Sequence, residues 1–215
     1  MPISGVIFDL DGVLIDSASP HHESWRLLAN ELGARVTEEQ FLSTFGRQNR
    51  DIIPLLFGED LSEQRICELS ERKEALYRDL VRGRIQPLEG AVELVRGCRR
   101  EGLKLAIGSS GHPANIDLAL RELGISDCFD AIVHGDEVTR GKPDPQVFLV
   151  AARRLGLAPA ACAVIEDAPS GVQAALTAGM TAIGLTTYHP AERLADAHRV
   201  IDSLADLTPA AVGSI

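Results

Sequence analysis

Short apolar runs alternate with amphipathic stretches from residue 87 to residue 185, and this alternation limits the folds open to the chain more than any other feature. Residues 103–107, 131–133, 162–165 and 181–185 have the length and apolar content of buried strands. Between and around them, residues 91–101, 115–123, 145–155 and 170–178 carry helical spacing, the first three closed by Gly102, Gly124 and Gly156. Strands separated by helices of this length predict a parallel sheet with helices on both faces and right-handed crossovers. Residues 6–8, the apolar run Val6-Ile7-Phe8, supply a first strand of the same sheet.

The segment after that first strand is different, because from residue 17 to residue 86 only helices are predicted. Residues 21–32 place Trp25, Leu28 and Leu32 on one side and stop at Gly33. Thr37-Glu38-Glu39-Gln40 reads as a capping box opening a second helix, with Phe41 and Phe45 on one face and Gly46 as its stop. A third helix starts at Asn49 or Arg50 and runs to Phe57 through Pro54. Ser62 opens a fourth that reaches Leu80 or Val81 with Ile66, Leu69, Leu76 and Leu80 apolar. The predicted organisation is therefore a Rossmann-like α/β core of residues 1–16 and 87–215, with residues 17–86 inserted as an all-helical cap.

Composition narrows the partners. A formal net charge of −10 over 215 residues argues against nucleic acid or an anionic membrane as the main partner, since both need a cationic surface. The N-terminal stretch lacks a basic segment followed by a long apolar run, and no stretch approaches a membrane span, so a cytoplasmic location is expected. Cys67, Cys98, Cys128 and Cys162 have no metal-binding spacing and read as reduced thiols. Only Lys73, Lys104 and Lys142 are lysines among 21 basic residues, so a lysine is not the default cation of this chain. A monomer is expected, with a dimer as the alternative.

In open parallel sheets ligands sit beyond the carboxyl ends of the strands. Four stretches put polar groups there: Asp9 and Asp11 after the first strand, Ser109 after the second, Lys142 in the loop after Val133, and Glu166 with Asp167 after the fourth. Carboxylates gathered in one place need a hard cation to offset their repulsion, and oxygen-only donors favour Mg²⁺. With a phosphate present, Ser109 and the N–H groups of the turn containing Ser110 and Gly111 can donate to its oxygens, and Lys142 adds a point charge. A carboxylate can then attack phosphorus while a neighbour protonates the leaving oxygen. Taken singly, Lys142 also suits an ordinary loop, and Ser109 an ordinary helix N-cap.

The stretches DLDGVLIDS, IGSSG, RGKPDP and IEDAPSG, in this order and with a helical insertion after the first, resemble the four signature motifs of the haloacid dehalogenase superfamily. More narrowly they resemble its β-phosphoglucomutase and phosphoglycolate phosphatase branch. The resemblance implies that Asp9 is a nucleophile forming an aspartyl-phosphate and that Asp11 is the general acid and base. It implies Mg²⁺ held by Asp9, the backbone carbonyl of Asp11 and Asp167, with Glu166 at or next to the ion. Ser109 would bind the phosphoryl oxygens, and Lys142 would balance charge on the phosphate and Asp9.

Asp11 and the Glu166-Asp167 pair favour phosphoryl transfer over the metal-free dehalogenases of the superfamily. Phosphonoacetaldehyde hydrolases add a cap lysine for a Schiff base, but the only cap lysine here, Lys73, lies in the charged run Glu71-Arg72-Lys73-Glu74 and is expected on a solvated helix face. The β-phosphoglucomutases have a lysine before the cap glycine and an arginine three residues after it. This chain has Phe45 before Gly46 and Asn49 three after, while Arg47 and Arg50 are close enough in sequence to meet a distal anion or are simply solvated. His21 matches a hinge histidine of the mutases, with His22 beside it. The expectation is a Mg²⁺-dependent phosphatase of a small phosphorylated metabolite (a sugar or polyol phosphate, or a short phospho-acid), with a hexose-phosphate mutase as the alternative. A receiver-type signalling domain would lack the insertion, and a silent binding module would be expected to have lost Asp9, Asp11 or Asp167.

Overall fold

The computed structural model describes residues 2–44 and 46–213. The chain runs from β1 (Gly5–Phe8) into four consecutive helices, α1 (Ala18–Glu31), α2 (Glu38–Thr44), α3 (Asn49–Phe57) and α4 (Glu63–Val81). It then alternates through α5 (Ala91–Arg100), β2 (Lys104–Gly108), α6 (Pro113–Leu123), β3 (Ala131–Val133), α7 (Gln146–Leu155), β4 (Cys162–Glu166), α8 (Pro169–Thr177), β5 (Thr181–Leu185), β6 (Arg199–Ile201) and α9 (Pro209–Gly213). By contact the chain divides into two compact units, one of residues 1–16 and 86–215 and one of residues 17–85.

The first unit is built on a six-stranded sheet in the order β3-β2-β1-β4-β5-β6, with every pair parallel. β1 is central, with Ile7 opposite Ala106 on one side and Val164 on the other. It is buried over its whole length, which is why it reads as a continuous apolar run and not an alternating one. On one face Ile7, Ala106, Cys162, Val164 and Ala182 pack with Val147, Phe148, Ala151 and Leu155 of α7 and Val172 and Ala175 of α8. The alternate residues Val6, Phe8, Leu105 and Ile107 are fully buried outside that cluster, and α5 packs beside β2. Strand order reverses between β1 and β4, which creates the crevice where ligands collect in sheets of this kind.

Among its described residues the second unit contains four helices and no strand. Trp25, Leu28, Ala29, Val36, Phe41, Ile52, Ile53 and Leu69 form its core. The capping box is present: the N–H of Thr37 donates to Gln40 Oε1 at 2.9 Å, and the N–H of Gln40 to Thr37 Oγ1 at 3.2 Å. Ser62 Oγ likewise accepts from the N–H of Arg65 at the start of α4. α1 begins three residues before the expected His21, because Pro20 falls in the first turn, where a missing N–H costs nothing. The expectation for Phe45 lies outside the described residues.

β6, α9 and several single 3₁₀ turns were not expected from sequence. β6 is three residues long and half-exposed, too short to show a period. Cys98, Cys128 and Cys162 are free and buried, and burial raises the thiols of Cys98 and Cys162 to about 11, while Cys67 is exposed. No helix among the described residues is long and apolar enough to cross a membrane.

Candidate active site

Asp9 leaves β1 with its N–H still bonded to the carbonyl of Ile165 on β4 at 3.1 Å, so the end of the ladder fixes its backbone. Glu166 ends β4 and Asp167 follows it. The carboxylates of Asp9, Glu166 and Asp167 offer oxygens that all lie within 4.8 Å of one another. Between them stands Lys142, whose Nζ is 3.1 Å from Asp9 Oδ1 and 2.5 Å from Glu166 Oε1, with Phe148 beneath it at 5.0 Å. Glu166 also accepts from the N–H of Ala168 at 3.1 Å. The four residues expected from three separate stretches of sequence are therefore neighbours.

Glycines let the carboxylates approach the backbone this closely. A Cβ on Gly171 would lie 1.9 Å from the Glu166 carboxyl carbon, so the first turn of α8 makes room for that side chain only because residue 171 has none. Gly12 has φ +77°, and a Cβ there would lie 2.4 Å from Asp167 Oδ2. Ser109 is 1% exposed and its Oγ accepts from the N–H of Gly111 at 3.0 Å. It is not the cap of α6, a role taken by His112, whose Nδ1 accepts from the N–H of Ala114. The place a Cβ on Gly111 would occupy is bordered by Ser109 Oγ at 3.2 Å and Asp11 Oδ2 at 3.5 Å, so the hydroxyl and the second aspartate flank one small space. Ser110, beside it, is half-buried.

The electrostatics of this cluster are unbalanced. Burial raises Asp9 to about 7; Lys142 works against this, and Glu166 and Asp11 add to it. Burial, then Glu166 and Asp9, push Asp167 well above the ordinary carboxylate range. For Lys142, burial favours the neutral amine, but Asp9 and Glu166 more than offset it and hold the ammonium above its usual value. Asp9 Oδ1 is buried, and among the described residues its one partner is the Lys142 ammonium at 3.1 Å. A buried carboxylate oxygen with a single cationic partner, set in an oxygen-only acidic group, suits a hard divalent cation.

The remaining expected residues lie in the helical unit. Gly46 has φ +83° with open space where its Cβ would be, and Arg47 and Arg50 are exposed. Asn49 points into the unit: its Nδ2 donates to Ser70 Oγ at 3.0 Å and to Glu74 Oε1 at 2.6 Å. The expectation for Lys73 is corrected. It is 2% exposed, pairs with Glu74 Oε1 at 2.8 Å and lies 5.2 Å over the Trp25 ring. Attraction to Lys73, ahead of smaller contributions from His21 and Asn49, overcomes burial and lowers Glu74 to about 2. The same ammonium lies 2.7 Å from His21 Nδ1. The ring of His21 stacks on Tyr77 at 4.0 Å.

The family model of haloacid dehalogenase-like hydrolases matches residues 3–179. β-Phosphoglucomutase of Bacillus subtilis is 34% identical over 96% of this chain and 92% of its own length. A phosphorylated carbohydrates phosphatase of Thermotoga maritima is 34% identical over 84% of each chain. Among solved structures, CbbY of Rhodobacter sphaeroides in complex with xylulose-(1,5)-bisphosphate superposes with a TM-score of 0.86 at 26% identity, over 95% of this chain and 96% of that one. The chain belongs to the haloacid dehalogenase-like hydrolases, as an enzyme of their phosphatase and phosphosugar mutase group.

Proposed function

We propose that the protein is a Mg²⁺-dependent phosphatase that hydrolyses a small phosphorylated metabolite, a sugar or polyol phosphate or a short phospho-acid, through an aspartyl-phosphate on Asp9. The observation that carries this reading is the meeting of Asp9, Lys142, Glu166 and Asp167 at the β1–β4 crevice, with Asp11 and Ser109 flanking one space. An Asp9 oxygen attacks phosphorus, the ester P–O bond breaks, and Asp11 gives its proton to the leaving oxygen. Water then attacks the same phosphorus, Asp11 takes back a proton, and the bond to Asp9 breaks to release phosphate. Ser109 and the N–H groups of its turn hold the phosphoryl oxygens, and Lys142 offsets their charge and that of Asp9. Asp9, Glu166, Asp167 and the carbonyl of Asp11 would hold Mg²⁺, which supplies charge neutralisation at the phosphoryl group.

Asn49 favours the phosphatase over the mutase. It stands where β-phosphoglucomutases carry an arginine for a second phosphate, and both its amide protons are taken by Ser70 and Glu74. With Mg²⁺ and β-glucose 1-phosphate, or a panel of sugar and polyol phosphates, free phosphate is the expected product. Formation of the 6-phosphate isomer without free phosphate would establish the mutase instead.

The cation has its own pH signature. Without it, Asp9 and Asp167 keep protons in the folded chain at pH values where the unfolded chain, with carboxyls near 3.8, has lost them. The native state then binds more protons, so metal-free stability falls as pH rises from about 4 through about 7. Mg²⁺ must displace those protons, so its stabilisation grows over the same interval. Thermal denaturation should show a larger Mg²⁺-induced rise in Tm at pH 8 than at pH 5. An equal or reversed difference would remove the ion from these carboxylates.

A further inference from the structure

The loop after β5 is tied down by three consecutive side chains. Thr186 is anchored to the β6 side, its N–H bonded to the carbonyl of Ile201 at 3.0 Å and its Oγ1 to Asp202 Oδ1 at 2.7 Å. The next two reach the turn that carries Asp11. Thr187 Oγ1 donates to the carbonyl of Gly12 at 2.6 Å, and Tyr188 Oη donates to Asp16 Oδ1 at 2.5 Å. A Cβ on Gly12 would lie 2.8 Å from Tyr188 Cε2 as well as 2.4 Å from Asp167 Oδ2, so residue 12 is enclosed between the tyrosine ring and a carboxylate of the site.

Within the turn, the N–H of Gly12 donates to the carbonyl of Ile15 at 2.8 Å, and the N–H groups of Val13, Leu14 and Ile15 all point at the single carbonyl of Leu10. That arrangement fixes residues 13–15 but leaves the Gly12 carbonyl to an outside donor. The Asp11–Gly12 peptide sets where the Asp11 carbonyl and carboxylate face, and a glycine on its far side resists rotation poorly. The Asp11–Gly12 peptide is held through its N–H by Ile15, and Thr187 adds a second restraint on the adjoining Gly12–Val13 peptide from a β-branched side chain that is itself stiff.

We propose that Thr187 and Tyr188 are positioning residues, which orient Asp11 by clamping the turn from Gly12 to Asp16. This rests on the phosphatase reading above for what Asp11 does, and on the two hydrogen bonds for how it is held. Thr187 acts next to Asp11 and carries the larger effect. Tyr188 grips the last residue before the helical insertion, at an exposed carboxylate, and carries the smaller one.

Three variants test this, Thr187→Val, Thr187→Ser and Tyr188→Phe, each followed by amide hydrogen exchange at residues 12–15 and by steady-state kinetics in Mg²⁺. Thr187→Val should speed exchange of the Gly12 amide and lower kcat about tenfold with KM changed about twofold or less, as expected of a small misplacement of a reacting group. Thr187→Ser, which keeps the hydroxyl, should restore both, and Tyr188→Phe should give about threefold in kcat. Unchanged exchange in Thr187→Val, or a loosened turn with unchanged kcat, would overturn the proposal. So would a loss of kcat that Thr187→Ser leaves in place and that follows a lowered Tm. If the wild-type protein hydrolyses no phosphate ester, the phosphatase reading falls instead. The clamp is then judged by calorimetric titration with Mg²⁺ alone, where Thr187→Val should weaken binding about threefold and an unchanged affinity would overturn it.

Discussion

Asp9→Asn is expected to abolish turnover of p-nitrophenyl phosphate in Mg²⁺, by about 10⁴-fold or more, while the far-ultraviolet circular dichroism is retained. The amide has the shape of the carboxyl but no oxygen able to attack phosphorus, so the loss falls on the first chemical step. The fold should tolerate it because burial already raises Asp9 to about 7, so near neutrality the metal-free site often holds a neutral group there. The Asp9 N–H that continues the β1–β4 ladder is untouched. Activity near that of the wild type would show that another group is the nucleophile.

Lys142→Met carries the second large effect, and it acts on stability as well as rate. The ammonium has only 5% of its side chain exposed and touches both Asp9 and Glu166. Methionine keeps most of the volume and the contact with Phe148 but leaves three buried carboxylates facing one another. Removing one partner of a buried ion pair costs about 3 kcal/mol. That cost should appear in metal-free protein at pH 8 and shrink at pH 5, where carboxyls can take up protons in place of the lost cation. In Mg²⁺ kcat should fall about 10³-fold, the scale set by losing a fixed positive group at a developing phosphoryl charge. Denaturation at the two pH values and steady-state kinetics check both parts. A variant as stable at pH 8 as the wild type would mean that the carboxylates relax apart.

Much of the architecture was legible because its signals were local. Glycines after helices, a capping box at Thr37 and apolar runs of strand length mark their elements without help from the rest of the chain. The meeting of the candidate residues was legible for a different reason: Asp9, Ser109, Lys142 and Glu166 each stand at or after the end of a strand, and a parallel sheet brings such ends together. What escaped depends on partners remote in sequence. Lys73 sits among Glu71, Arg72 and Glu74, which suggests water, yet besides Glu74 its ammonium reaches His21 and the Trp25 ring on another helix. The scarcity of lysine in an arginine-rich chain was the available hint. Thr187 and Tyr188 follow a strand end as Ser109 does, but neither carries obvious chemistry, and β6 shows no period because it is only three residues long.

The central place of β1 has a consequence for how the protein acquires its shape. Gly5–Phe8 is made before both of its neighbours in the sheet, which come from residues 104–108 and 162–166, so it waits for about a hundred residues before one edge is paired and for more than a hundred and fifty before the other is. Asp9 and Asp167 meet only when that last long loop closes, an entropically slow event late in folding. Mg²⁺ gathered by these groups should therefore slow unfolding with little effect on the refolding rate. A nascent or nicked chain lacking β4 would have an exposed apolar strand and no site at all.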